Sequence, residues 1–98
     1  MIYHIITKQE WGEAQKSGFY EAGSLLKEGF IHACKKDQVA GVLGRYFKDQ
    51  QDLLLLYIDE QKVSAPIKYE VALPVNEEFP HIYGRLNINA VVLVKSIL

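Results

Sequence analysis

A single cysteine, Cys34, occurs in the 98 residues, which excludes an internal disulfide and the paired-thiol pattern of a structural zinc site. The longest apolar run is the six residues Leu53 to Ile58, against the roughly 20 needed to cross a bilayer, so no membrane partner is expected. Excess charge of either sign is also missing: 11 Lys and Arg face 12 Asp and Glu, a net charge of −1. A chain so balanced lacks the basic footprint of a nucleic-acid binder. The opening Met1-Ile2-Tyr3-His4-Ile5-Ile6 has neither a basic leader nor a small-residue cleavage site, so a cytoplasmic location is expected. What is present is 49% hydrophobic and 23% charged, the balance of a folded globular chain and not of disorder. The length suits one domain over residues 1–98, since two cores would each fall below the usual folding limit.

Patterning predicts the elements. Ile2 to Ile6 is β-branched and aromatic, as in a buried strand. Thr7 three residues before Glu10 matches a capping box, predicting a helix from Lys8 to Lys16 that Ser17-Gly18 ends. Ser24 is expected to cap a single turn through Leu25 and Leu26, and Phe30 to Cys34 to form a short strand. Asp37 is expected to cap a helix whose stripe Val39, Val42, Leu43, Tyr46 and Phe47 faces the core. Leu53 to Ile58 lacks a polar face and predicts a central strand. Ile67 to Leu73 alternates, which puts Ile67, Tyr69, Val71 and Leu73 inward and Lys68 and Glu70 outward. Residues Pro74 to Leu86 read as a loop, and Ala90 to Val94 as the last strand. This irregular order favours α+β over a doubly wound parallel sheet.

All three histidines have apolar neighbours: Tyr3-His4-Ile5, Ile31-His32-Ala33 and Pro80-His81-Ile82. Imidazole titrates near neutrality and can act as acid, base or ligand. Any one could be a core histidine bonded to a carbonyl, but three in so short a chain point to a shared cleft. No HxH or HExxH spacing occurs, so no metal is expected, and a lone thiol such as Cys34 is more often a small core residue than a nucleophile. Gly29 precedes a strand, where backbone can approach a ligand closely. Tyr83, Gly84 and Arg85 follow His81 and combine a phenol, a flexible position and a forked guanidinium, a mixture suited to a small anionic, phosphate-bearing molecule. The alternative is a rigid loop in which Tyr83 packs and Arg85 pairs with Glu77 or Glu78.

Several segments together resemble domain-of-unknown-function family 952, a group of small bacterial proteins: Ile2-Tyr3-His4-Ile5, Trp11 with Ala14, Gly18-Phe19-Tyr20, Glu28-Gly29-Phe30-Ile31-His32 and Phe79-Pro80-His81-Ile82-Tyr83-Gly84-Arg85-Leu86. The family is similar in fold to the ADP-ribosyltransferase superfamily. That resemblance implies a compact α+β domain with a split mixed or antiparallel sheet, two helices and a central cleft for NAD or ADP-ribose. It assigns His4 to the ribose-binding histidine of the first strand and His32 to the place of a stacking tyrosine, with Tyr20 nearby in the cleft. The usual late glutamate would fall near His81, with Glu70 and Glu78 as substitutes. Two function classes follow: a transferase-like enzyme using His4, His32 and His81 on a nucleotide or ADP-ribose-like ligand, or a non-catalytic metabolite-binding or protein-interaction module.

Overall fold

The computed structural model describes residues 1–73 and 75–97. Strand β1 (Ile2–Thr7) leads directly into helix α1 (Lys8–Ser17). The predicted capping box is formed: the Glu10 amide donates to Thr7 Oγ1 at 3.1 Å, and the Thr7 amide donates to Glu10 Oε1 at 3.1 Å. Gly18 closes the helix with a left-handed φ of 87°, a conformation that costs other residues more. Then come β2 (Phe19–Tyr20), α2 (Gly23–Glu28), β3 (Ile31–His32), α3 (Val39–Tyr46) and β4 (Leu53–Ile58). Strands β5 (Ile67–Ala72), β6 (Glu77–Ile82), β7 (Leu86–Asn87) and β8 (Val91–Ser96) complete the order.

Strand β4 is central, as its apolar run predicts, in an antiparallel sheet of order β1-β4-β8. A second antiparallel sheet runs β3-β6-β5, and β2 pairs with β7. The result is an α+β fold with a split antiparallel sheet. Among the described residues no helix is long and apolar enough to cross a membrane.

Pro80 marks where the sheet splits. The Ala33 amide donates to the Pro80 carbonyl at 3.1 Å, but proline has no N–H to return. The ladder to β6 stops there. The chain swings to β1 instead, where Tyr3 and Cys34 exchange two backbone hydrogen bonds of 2.8 Å.

Six expectations are corrected. The segment read as a loop after Leu73 contains β6, a middle strand buried from Phe79 to Ile82; Pro80 masks it in the sequence, and Pro74 lies outside the described residues. Tyr69 and Val71 of β5, and Leu73 just beyond it, are not buried, being 41%, 58% and 80% exposed. The reason is that β5 is an edge strand whose face is covered only at its start, where Ile67 packs on the larger apolar cluster and Tyr69 OH donates to Glu60 at 2.8 Å. Its other face carries Glu70 toward His81. Three α-helices stand among the described residues where two were expected, and Ala22, not Ser24, is the N-cap of α2; Ser24 Oγ donates to the Phe30 carbonyl at 2.8 Å. Asp37 lies within a 3-10 turn (Lys36–Gln38) ahead of α3 and does not cap it. The α3 stripe is only partly buried, with Tyr46 62% exposed.

Two apolar clusters hold the fold. The larger joins Ile2, Ile6, Ile31, Leu56, Ile58 and Ile82. The second gathers Tyr3, Ile5, Cys34, Leu53, Leu55 and Phe79. Their arrangement follows from β1 and β4 alternating side chains to both faces of one sheet.

Candidate functional site

A cavity of about 480 Å³ opens beside the second cluster, between β1, the ends of α2 and α3, and the β3-β6-β5 sheet. Tyr3, Ile5, Val42, Phe47 and Phe79 give it apolar walls. His4, Glu28 and His32 supply most of its polar side. No Lys or Arg is among the described residues lining it.

The three histidines occupy different situations. His32 and His81 face each other directly across the β3–β6 pair, with ring centroids 5.4 Å apart. His4 joins them through the backbone: its Nδ1 lies 2.6 Å from the His32 carbonyl. A carbonyl only accepts, so Nδ1 carries the proton. Burial holds the His4 imidazole below its ordinary range, a shift that the carbonyl hydrogen bond partly opposes, and the neutral ring leaves Nε2 as an acceptor. Tyr20 OH donates to it at 3.1 Å, and burial, aided by the Glu10 charge, keeps that phenol well above its ordinary pKa. Both nitrogens of His4 are therefore engaged in bracing β1, β2 and β3.

His81 is buried and stacked on Phe30 at 4.0 Å with 21° between ring planes. Its Nδ1 lies 2.7 Å from Glu70 Oε1, the same oxygen that accepts from Tyr83 OH. Those two donors, Tyr83 first, hold the Glu70 carboxyl below its ordinary range, and the carboxylate in turn raises the Tyr83 phenol. His32 is the accessible member, with 54% of its side chain exposed. Its Nε2 lies 2.6 Å from Glu28 Oε2. An ionised carboxylate fixes the Nε2–H form and leaves Nδ1 able to take a proton.

The remaining candidates divide. Gly29 has φ 87° and terminates α2, its amide donating to the Leu25 carbonyl at 3.0 Å. At Gly84, with φ 154°, a Cβ would stand 2.9 Å from that of Ala65, so this glycine serves close packing. Arg85 stacks its guanidinium 4.2 Å from the Phe19 ring, on the β2 side and not on the cavity. Cys34 reaches the cavity, but burial, with Asp37 adding to it, pushes its thiol up to about 11, which leaves little thiolate near neutrality. The described residues contain no cluster of three His, Cys, Asp or Glu able to hold a metal.

Two acids carry more weight than their sequence patterns indicate, although the resemblance already offered Glu70 as a substitute acid. Glu28 pairs with His32 only because Gly29 turns the chain between them, and the one available signal is their four-residue spacing. Glu70 is hidden by an alternation pattern that assigns it to solvent.

A family model described as a protein of unknown function, DUF952, matches residues 5–94. The chain belongs to the DUF952 family. The matched span includes Glu28, His32, Glu70 and His81, and His4 lies one residue before it. Among solved structures, this DUF952 chain is similar to the crystal structure of protein CC0527 from Caulobacter crescentus. The identity is 28% and the TM-score 0.87, over 96% of this chain and 82% of that one. The solution structure of CC0527 gives a TM-score of 0.83 at 28% identity, over 98% and 83% of the two chains. No curated protein matches.

Proposed function

We propose that this DUF952 protein binds the ring-and-ribose end of a nucleoside or nucleotide in the 480 Å³ cavity, and that His32 is the acid–base group of the site. The observation that carries the reading is an exposed imidazole, fixed by Glu28, standing on the polar side of an otherwise apolar cavity. Cavities of this size and composition are typical of small-molecule sites. The apolar walls suit a flat ring, while ribose hydroxyls suit the His32 edge. His32 Nδ1 would take a proton from a hydroxyl or an attacking water, and Glu28 would balance the imidazolium that forms.

The ADP-ribosyltransferase resemblance favours NAD or ADP-ribose, and the split antiparallel sheet with a cleft beside β1 supports it. Glu70 supplies a carboxylate next to the third motif histidine, but neither Glu70 nor His81 lines the cavity, which takes only His4 and His32 of the three histidines. The lining offers no fixed cation, so an anionic ligand would keep its phosphates outside the cavity, and Arg85 would not hold them within it.

Calorimetric titration with adenosine, nicotinamide riboside, ADP-ribose and NAD tests this. At least one nucleoside is expected to bind about as tightly as its phosphorylated counterpart, and His32→Ala is expected to weaken it by about tenfold, the worth of one charged hydrogen bond. Failure of the whole panel to bind overturns the reading. Binding of NAD without turnover would favour a non-catalytic module.

A further inference from the structure

Strand β5 (Ile67–Ala72) ends its sheet in the order β3-β6-β5, so one side of its backbone meets no strand. The pairing parity identifies which groups are free. The Tyr83 amide donates to the Pro66 carbonyl at 2.8 Å, and Lys68, Glu70 and Ala72 stand opposite His81, Phe79 and Glu77. In an antiparallel ladder alternate residues bond the neighbour, so the even-numbered residues engage β6. Ile67, Tyr69 and Val71 turn their N–H and C=O groups outward, and no bond to those groups occurs among the described residues. Two of these residues bear exposed apolar side chains, Tyr69 at 41% and Val71 at 58%; Ile67 is half-buried against the larger cluster, and the Tyr69 hydroxyl donates to Glu60 at 2.8 Å.

We infer that β5 is the contact strand of a two-fold dimer of this chain, antiparallel, with Tyr69 on the axis. A symmetric antiparallel pair must centre on one residue, and the choice can be enumerated. Centring on Lys68 or Glu70 opposes like charges, which destabilises a strand pair. Centring on Val71 sets Glu70 against Ala72, and centring on Ile67 sets Lys68 against Pro66. Centring on Tyr69 alone matches every position: Lys68 meets the partner's Glu70, Ile67 meets the partner's Val71, and the tyrosines meet each other. The free groups of residues 67, 69 and 71 then make six hydrogen bonds across the axis. Of the two edges of the other three-stranded sheet, β1 is partly covered by its bridge to Cys34, and the pairing of β8 with β4 is interrupted by a register shift at Tyr57/Ile58, an irregularity that protects edges. The pairing with β6 along β5 is continuous. The inference is independent of what the cavity binds.

Sedimentation equilibrium of the full chain tests it, with a dimer expected at micromolar concentration. Val71→Pro removes an amide that points away from β6, so β5 stays paired within its own sheet and the variant is expected to be monomeric. Lys68→Glu places like charges opposite each other twice and is expected to weaken dimerisation by about tenfold. Tyr69→Cys is expected to form a disulfide-linked dimer on mild oxidation. Val71→Cys is not, because its symmetry mate would be about 13 Å away; the native Cys34 is buried. A wild-type chain that stays monomeric at 1 mM overturns the inference, as does a dimer indifferent to both Val71→Pro and Lys68→Glu. Should circular dichroism show Val71→Pro unfolded, Lys68→Glu and Tyr69→Cys decide alone.

Discussion

His4 illustrates how far a titratable residue can be diverted from chemistry by its hydrogen bonds. Its Nδ1–H is given to the His32 carbonyl and its Nε2 accepts from the Tyr20 hydroxyl, so protonation would require the buried Tyr20 hydroxyl to turn and accept instead. The folded-state pKa is lowered, chiefly by burial, from the ordinary imidazole value of 6.5. The unfolded chain therefore takes up a proton near 6.5 that the folded chain refuses. Stability from this residue is complete above that pH and is lost as pH falls through the window down to the lowered folded value. Urea unfolding followed between pH 7 and 5 is expected to show this decline, with a slope of at most about 1.4 kcal/mol per pH unit from one proton. His4→Asn is expected to flatten the profile by up to that amount; an unchanged profile would mean His4 titrates alike in both states.

At the scale of elements, α3 and β5 differ from their sequence patterns for one reason: each is covered only in part on the face the pattern marks as apolar. The α3 stripe borders the cavity through Val42, Tyr46 and Phe47, so none of its residues is fully buried. Leu43→Ala is consequently expected to cost only about 1 kcal/mol in chemical denaturation, less than the ~2–5 kcal/mol of a fully buried leucine. A loss of 3 kcal/mol or more would place α3 deep in a core. The capping box of α1 was legible because capping is local, requiring only Thr7 and Glu10 three residues apart. The middle strand β6 was not, because whether Pro80 is tolerated depends on which neighbour faces its missing N–H, and that neighbour lies some 47 positions earlier, at Ala33.

Across the whole molecule, β4 is the strand on which both apolar clusters depend. Leu56 and Ile58 face the larger one, Leu53 and Leu55 the smaller. Leu56 has no exposed surface, and its truncation to alanine is expected to cost about 2–5 kcal/mol, a large share of the ~5–15 kcal/mol that holds such a domain. Thermal unfolding of Leu56→Ala and Leu43→Ala side by side checks the ranking. Equal losses would contradict a core centred on β4.

The sequence by itself determined the α+β class, the central strand, the first helix and its cap, and the family. Each rests on local periodicity, on pairs a few residues apart, or on motifs whose residues are contiguous. It also marked all three histidines. Only the tertiary structure decided their roles, because a role depends on partners far along the chain: Tyr20 and the His32 carbonyl for His4, Glu70 for His81, an exposed cavity wall for His32. The same holds for the acids. Alternation in β5 states which residues share a face but not which face meets the protein, and that was set by the tertiary packing, which leaves Val71 exposed and meets Tyr69 through Glu60.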